Sequence, residues 1–253
     1  MDRQVPTPTL LQDMHVHSTF SDGKNTIAEN IEEAERLGLT QLTCVDHVRA
    51  DTAYLPDYVA EIERLRPTTE IRLLCGIEAK LMDTSGALDL PAEIPAGVDR
   101  IYAADHQVPF ADGPHHPRDV KEGLESGELD AAAVIDGIAD ATVGAVAGHD
   151  EVVIAHLFSI LPKIGLSEDD VSDEQLERLA AGTVAGEGRI EISERWSCPN
   201  ARSLQPFVDH GVEVLLSTDA HMRTKMGRYE RCAQTLADLG IEPRGGGTAQ
   251  TTV

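Results

Sequence analysis

Short apolar runs alternate with amphipathic stretches along most of the chain, and this alternation restricts the possible folds more than any other feature. Seven of the runs have the length and patterning of β-strands, at 10–16, 39–46, 71–78, 98–104, 151–156, 188–192 and 212–217. Stretches with helical periodicity lie between them, at 26–38, 56–65, 129–146, 173–181 and 228–239. Strands separated by helices pair in parallel, so about seven β/α units predict a parallel sheet, either open and doubly wound or closed into a barrel.

The stretch at 26–38 carries the clearest helix signals. Thr26 is suited to cap its amino-terminal end, with Glu29 three residues later at capping-box spacing. Apolar residues follow at helical spacing, and Gly38 is suited to end the helix. A helix with defined ends is therefore predicted directly after the first strand.

Two stretches interrupt the alternation. Residues 108–117 are rich in Pro, Gly and His, and residues 161–170 form a second irregular segment. We interpret both as lids over one end of the fold. Because we find no repeat and no linker, we expect one domain over residues 1–244, followed by a disordered tail at 245–253.

Histidines and carboxylates recur where the predicted strands end. The first strand ends in His15-Val-His17, and because side chains alternate along a strand, both imidazoles face one side. An isolated pair of this kind is about as often incidental surface polarity as a metal site. Here further residues of the same types stand at or just after other strand ends: Asp22, His47, Glu78, His106, His156, Asp219 and His221. Barrel enzymes assemble their sites where the carboxyl ends of the strands meet on one rim, so these motifs favour the closed barrel.

The motifs HVHSTFSDG, VDH, GIE and STDAH occur in this order. Through them the sequence resembles the polymerase and histidinol phosphatase (PHP) family over about residues 12–239. The resemblance implies a distorted seven-stranded (β/α)7 barrel, similar to a TIM barrel, that binds three divalent metal ions at the carboxyl-terminal ends of its strands. The fold agrees with the strand count obtained from periodicity alone.

The resemblance also implies which residues bind each ion. For the first ion it implies His15, His17 and Asp219, together with Glu78, which would bridge to the second ion. For the second it implies His106 and His156, and for the third Asp22, His47 and His221. His149 is the rival to His156, which we prefer because it ends an apolar run, whereas His149 stands at a predicted helix terminus. Imidazole and carboxylate ligands without a thiolate suit Zn, Mn or Fe and leave the choice among them open.

The activity that this resemblance implies is the hydrolysis of a small phosphate monoester, either histidinol-phosphate-like or nucleotide-like. The nucleophile would be a metal-bridging hydroxide held by His15, His17, Glu78 and Asp219. A phosphate group also needs a cation to orient it. Arg195 after the sixth strand is the first candidate, followed by Arg49 and Arg223, with Arg118 a weaker one; the usual alternative is a solvated surface arginine. We expect Asp46 to steady neighbouring ligands or to cap its strand.

Three other functions fit parts of the pattern. A phosphodiesterase or short-oligonucleotide exonuclease would use the same ligands on a different ester. An amidohydrolase that cleaves C–N bonds also carries an HxH pair on a β/α barrel, but Asp22, Glu78 and the STDAH motif disfavour this class. A non-catalytic metal-binding module is disfavoured because no expected ligand is missing.

Composition narrows the range of partners. The formal net charge of −23 would repel long nucleic acids, so a small phosphorylated substrate is expected. No apolar run is as long as a membrane span, and the first ten residues lack a signal-peptide pattern, so we expect a cytoplasmic protein without a membrane partner. Four scattered cysteines predict no disulfide framework. The oligomeric state is left open.

Overall fold

Seven parallel strands form the central sheet in the computed structural model, which describes residues 7–245. The prediction of a disordered tail falls almost entirely outside these residues, as does most of the amino-terminal segment tested for a signal peptide. In chain order the strands are β1 (Gln12–Val16), β2 (Gln41–His47), β3 (Arg72–Lys80), β4 (Arg100–Ala104), β5 (Val108–Phe110), β6 (Gly113–His115), β7 (Val152–Ala155), β8 (Arg189–Ser193) and β9 (Glu213–Ser217). The sheet runs β1-β2-β3-β4-β7-β8-β9, and β5 and β6 form a separate antiparallel hairpin.

The sheet curls until its two edge strands nearly meet. The backbone N–H of His17 donates to the carbonyl of Ala220 at 2.9 Å, just beyond the end of β9. Below this contact, the buried carboxylate of Asp13 accepts hydrogen bonds from the Thr218 backbone N–H at 3.0 Å and hydroxyl at 2.6 Å. These bonds join β1 to the end of β9. The result is the distorted seven-stranded barrel predicted from the sequence, and the open, doubly wound sheet is excluded.

Helices surround the barrel and cover its strands. They are α1 (Ile27–Leu37), α2 (Leu55–Leu65), α3 (Pro117–Ser126), α4 (Ala131–Gly148), α5 (Asp173–Ala185), α6 (Ala201–Asp209) and α7 (Glu230–Asp238). The predicted ends of α1 are confirmed, because Thr26 and Glu29 form a capping box and Gly38 adopts a φ of 72°. Sequence patterning missed α3 and α6. The first is mostly polar and follows a loop-like segment, and the second contains Pro206, which ordinarily signals a helix break.

The core has two layers. Apolar side chains between the strands and the helices form the larger one, and a small inner cluster that includes Met14, Tyr102 and Leu215 fills the barrel. Within residues 7–245, α4 alone is long and apolar enough to cross a membrane, and 44% of it is buried inside the fold. It packs against α5 and β7, as expected of a core helix.

The two irregular segments take different forms. Residues 108–115 form the β5–β6 hairpin, whose first strand packs on α4. The second segment contains two short 3₁₀ turns, Leu161–Ile164 and Glu168–Asp170. The first of these turns packs on α3.

Candidate metal centre

The nine predicted ligands converge at the carboxyl-terminal ends of the barrel strands. A break in the β1–β2 register between Asp13 and Val16 helps to place the first two. Because a bulge changes which side chains point inward, Met14 packs in the inner cluster while His15 and His17 face the same interior. His15 is fully buried and His17 is 1% exposed. The bulge therefore explains how three inward-facing side chains fit on one short strand.

Glu78 at the end of β3 lies at the centre of the cluster. Its Oε1 is 2.9 Å from Nε2 of His156 and 3.2 Å from Nε2 of His106. Its Oε2 is 2.8 Å from Nδ1 of His47 and 3.7 Å from Nε2 of His15. The parallel register sets one of these contacts directly, because His47 and Glu78 are partners across β2 and β3. Since Glu78 is 2% exposed, its charge is balanced almost entirely by these imidazoles.

The remaining ligands lie on the solvent side of Glu78. Oδ1 of Asp219 is 3.1 Å from Nε2 of His17 and 3.3 Å from Nδ1 of His221. Asp22, in the loop between β1 and α1, places Oδ2 3.2 Å from Nε2 of His221 and Oδ1 3.6 Å from Nε2 of His47. The nine side chains thus form one continuous cluster in which each ligand atom faces another.

The donor set suits divalent cations. Nε2 of His15 and Nε2 of His17 are 3.1 Å apart, near the roughly 3.4 Å expected for two nitrogens on one tetrahedral ion. Among the described residues, four buried atoms of the nine side chains have no hydrogen-bond partner. Nδ1 of His156 faces Asp105, and the other three face the cluster: Nδ1 of His17, Oε2 of Glu78 and Oδ1 of Asp219. The short approach of His47 to Glu78 is therefore not aligned as a hydrogen bond. Buried polar atoms are normally satisfied, so these three fit a site whose partners are metal ions.

Seven of the nine proposed ligands, all except His156 and Asp219, fall into three compact groups, each with its ligand atoms within 4.8 Å of one another. The groups are His17, Asp22, His47 and His221; His15, His17 and Glu78; and His47, Glu78 and His106. The number of groups equals the number of ions that the resemblance implied, but their membership differs. His17 and His47 are each shared by two groups, whereas the resemblance gave each of them to one ion. The side chains of His17 and His47 therefore lie between neighbouring candidate positions for a metal ion.

The electrostatics of the inner side chains favour positive charge. Burial alone would raise the pKa of Glu78, but the charges and hydrogen bonds of His106 and His15 outweigh it and hold the pKa well below its ordinary value. Burial alone would lower the pKa of His156, but Asp105 and Glu78 raise that pKa to about 10. The Glu78 carboxylate thus remains ionised and attracts protons or metal cations to the cluster.

Two buried carboxylates that sequence reasoning did not assign hold the inner histidines. Oε2 of Glu191 on β8 is 3.1 Å from Nδ1 of His15, and its Oε1 accepts the backbone N–H of His156 at 2.9 Å. Asp105 lies 3.3 Å from Nδ1 of His156 and accepts the Ser159 hydroxyl at 2.6 Å. A carboxylate behind an imidazole fixes which nitrogen faces the site. Glu191 stands out in the sequence as a carboxylate within an apolar strand, and the structure buries it completely; its partner His15 is visible only in the structure.

Backbone conformation also marks this end of the barrel. His156 has a φ of 29° and Asp219 a φ of 47°, both in the left-handed region that residues with a Cβ seldom adopt. His156 directly follows β7, and Asp219 lies two residues beyond the end of β9. Strained backbone of this kind persists where surrounding contacts hold it and is concentrated at functional sites.

The loop after β8 supplies a cation and an indole to the cluster. The Trp196 indole Nε1 donates to Oδ2 of Asp219 at 2.6 Å, and Nη1 of Arg195 lies 3.5 Å from Oδ1 of the same residue. Arg195 also contacts His221. The other two predicted phosphate-binding arginines are not in these contacts. Arg49 is exposed beyond β2, and Arg223 is exposed with its backbone N–H bound to Asn25.

His149, the rival to His156, lies apart from the cluster, as do His115 and His116. His149 follows α4, and its Nδ1 is 3.2 Å from the carbonyl of Ala145, so the structure places His156 and not His149 beside Glu78. His115 contacts Asp112, and His116 caps α3. Asp46 does not steady an imidazole directly; it accepts hydrogen bonds from Ser18 and Ser21 and so holds the loop that carries Asp22.

A parallel β/α barrel with a cluster of histidines and carboxylates on its carboxyl-terminal rim defines a class of metal-dependent hydrolases. A model of the PHP domain matches residues 13–193, more than two thirds of the chain. The chain therefore belongs to the PHP domain family and is a metal-dependent phosphoesterase. The matched segment ends before Asp219 and His221, so the last two ligands of the cluster lie outside it.

Comparisons with individual proteins extend over most of the chain. A probable phosphatase of Thermoanaerobacter sp. strain X514 is 25% identical over 238 residues, covering 92% of this chain and 87% of that protein. A probable phosphatase of Clostridium botulinum strain Hall is 24% identical, with 91% and 87% covered. The solved structure of a "putative histidinol phosphatase" from Listeria monocytogenes superimposes with a TM-score of 0.57 at 13% identity, covering 86% of this chain and 97% of that one. At this identity the structural likeness supports the barrel fold alone.

Proposed function

We propose that this protein hydrolyses a small phosphate monoester at the nine-residue cluster, within a single catalytic domain formed by residues 1–244. The observation that carries the proposal is the convergence of imidazole and carboxylate atoms on Glu78, with three buried ligand atoms left without hydrogen-bond partners. The proposed ligands are His15, His17, Asp22, His47, Glu78, His106, His156, Asp219 and His221. They would hold up to three divalent ions, with Zn, Mn and Fe as the candidates.

The chemistry at this site has a contribution from the ions and a contribution from the chain. Bound divalent ions lower the pKa of water toward neutrality and offset the negative charge that develops on a phosphoryl group. The chain's own part is to hold the donors in place: Glu191 and Asp105 orient His15 and His156, and Trp196 orients Asp219. Arg195 is positioned to orient a phosphate, because its guanidinium lies at the edge of the cluster and is 45% exposed.

Two further observations support a phosphate monoester of small size. Both curated relatives are named probable phosphatases, and they match this chain along nearly its whole length. The net charge of −23 disfavours a long polyanion, whereas a small phosphate can reach a local site that cations make positive.

The test compares ester types and metals in one design. The protein is stripped with a chelator and reloaded separately with Zn²⁺, Mn²⁺ or Fe²⁺, and each form is assayed on p-nitrophenyl phosphate and on bis-p-nitrophenyl phosphate. We expect the stripped protein to be inactive, at least one metal to restore activity, and the monoester to be hydrolysed faster. Faster turnover of the diester would instead identify a phosphodiesterase. Full activity of protein shown by elemental analysis to be metal-free would contradict the proposed site.

A further inference from the structure

A cavity of about 730 Å³ opens beside the ligand cluster. One side of it is formed by ligands that belong to the cluster, Asp22, Asp219 and His221. Its lining also includes four cationic side chains, Lys24, Arg195, Lys225 and Arg228, which we call the cationic wall. A phosphoryl group bound at the cluster would therefore have the rest of its molecule next to this wall. The charge of this wall therefore indicates the chemical character of the substrate beyond its phosphoryl group.

Three of the cations are free to bind a ligand. In the described part of the chain, Lys24, Lys225 and Arg228 form no ion pair within 4 Å, whereas arginines elsewhere on the surface, such as Arg64 and Arg178, are paired with carboxylates. Acidic residues outnumber Lys and Arg by 44 to 21 in the sequence. Three of the 21 basic residues of this acidic chain thus line one cavity beside the cluster without a carboxylate partner within 4 Å among the described residues.

The carboxylates of this cavity do not cancel its cations. Asp22 and Asp219 face the imidazoles of the cluster. The Glu194 carboxylate accepts the backbone N–H groups of Arg231 and Cys232, at 2.9 Å and 3.0 Å. The lining thus has four carboxylates and four cations, but divalent ions at the proposed cluster would offset Asp22 and Asp219, which leaves Glu194 and Glu230 against four cations. With those ions bound, the cavity is locally positive and suited to an anionic group.

A second cavity on the other side of the β8 loop has the opposite character. It measures about 350 Å³, and its charged lining residues are Lys163, Glu168 and Asp169. Its single cation is already engaged, because Nζ of Lys163 lies 4.5 Å from the centre of the Trp196 ring. An anionic end of a substrate would therefore be attracted to the first cavity and not to the second.

We infer that the alcohol part of the substrate carries a second anionic group, a carboxylate or a phosphate, which binds Lys24, Lys225 and Arg228. This inference rests on the proposed phosphatase function and specifies its substrate class. The small uncharged side chains of Thr218 and Ala220 and the exposed Met222 line the same cavity, where they would contact the carbon skeleton between the two anions.

The experiment uses three esters with the same six-carbon chain: sorbitol 6-phosphate, 6-phosphogluconate and sorbitol 1,6-bisphosphate. They end in a hydroxymethyl group, a carboxylate and a phosphate, so the last two also distinguish the two possible anions. We expect kcat/KM for at least one anionic ester to exceed that of sorbitol 6-phosphate by about tenfold or more. Where an ester is not turned over, its Ki as a competitor of p-nitrophenyl phosphate gives the same comparison.

Substitutions of the wall residues test whether these cations cause the preference for anionic over neutral esters. The double variant Lys225→Gln/Arg228→Gln should reduce the ratio of anionic to neutral ester by about fivefold or more, with Lys24→Gln reducing it less. Arg72→Gln is the matched control, because Arg72 is exposed at the other end of the barrel and forms no ion pair with residues 7–245, and it should leave the ratio unchanged. Lys163→Gln tests the rival cavity and should also leave the ratio unchanged. Circular dichroism of each variant checks the fold.

Three results separate failure of the inference from failure of the proposed function. Hydrolysis of p-nitrophenyl phosphate with equal kcat/KM or Ki for all three esters would overturn the second anion site alone. A ratio of anionic to neutral ester that falls in Lys163→Gln but not in Lys225→Gln/Arg228→Gln would also overturn the second anion site alone. Failure of the metal-loaded protein to hydrolyse any phosphate ester would overturn the proposed function and this inference with it.

Discussion

The inner and outer halves of the ligand cluster are held in different ways. The inner half comprises His15, Glu78 and His156, whose side chains are at most 1% exposed, and buried carboxylates stand behind both imidazoles. The outer half comprises Asp22, His47, His106 and His221, whose side chains are 20–53% exposed. His17 and Asp219 join the two halves.

The difference shows that the barrel positions its inner and outer ligands by different means. The strand ends and the carboxylates of Glu191 and Asp105 hold the inner half in place, so its geometry is set when the barrel folds. Three of the four outer side chains stand beyond the ends of their strands, where solvent screens their interactions. We therefore expect changes in the inner half to be severe, and changes in the outer half to be partly reversible by added metal.

The largest effect is expected for Glu78→Gln. This change removes the charge that five imidazoles approach, so we expect kcat/KM to fall on the order of 10³-fold or more and bound metal to decrease. Elemental analysis and a p-nitrophenyl phosphate assay measure both quantities. Glu61→Gln on the outer face of α2 is the control. Wild-type activity at normal metal content in Glu78→Gln would remove Glu78 from the site.

The next effect is expected for Glu191→Gln, which does not remove a ligand. Loss of the carboxylate behind His15 frees the orientation of that imidazole, and we expect metal affinity to weaken by about 10- to 100-fold. Titration of the stripped protein against a competing chelator measures this affinity without an activity assay. Glu213→Gln on the neighbouring strand serves as the matched control. Unchanged affinity would show that the inner half does not need this contact.

In the outer half, Asp22→Asn should have a milder effect. We expect one equivalent of metal to be lost at low metal concentration and activity to decline by roughly tenfold, with recovery at high metal concentration by mass action. The observation to make is activity as a function of free metal, in parallel with Glu78→Gln. If Asp22→Asn proved as inactive as Glu78→Gln at every metal concentration, the distinction between the two halves would be lost.

Arg195→Ala should change substrate binding while metal content stays normal. Removing a charge-assisted hydrogen bond is worth roughly 1.5–3 kcal/mol, which corresponds to about a tenfold or larger rise in KM. Steady-state kinetics with elemental analysis of the same sample tests this. A normal KM in this variant would show that Arg195 does not bind the substrate phosphate.

The smallest effect is expected for Arg49→Ala. The structure leaves this side chain exposed and outside the contacts of the cluster, so KM should change by no more than about twofold. A rise comparable to that of Arg195→Ala would show that Arg49 moves to the substrate when one is bound.

The sequence predicted the barrel because its determinants are local. Apolar runs and the capping residues of α1 are readable from neighbouring positions, and HxH at a strand end indicates two inward-facing imidazoles. The bulge in β1, the left-handed backbone at His156 and the pairing of Glu191 with His15 depend on residues far apart in the chain. Such features arise only when the barrel closes, so no local pattern encodes them. For the same reason the sequence ranked Arg195 ahead of Arg49 without showing their contacts, and it did not show that His17 and His47 lie between ligand groups.

The most direct test of the proposed metal cluster is a crystal structure of the protein grown with Mn²⁺, with anomalous diffraction data. We expect anomalous peaks within ligand distance of the nine residues, with Glu78 bound to more than one ion. Peaks at other positions, or an active, fully metal-loaded enzyme with no peak near Glu78, would contradict the account.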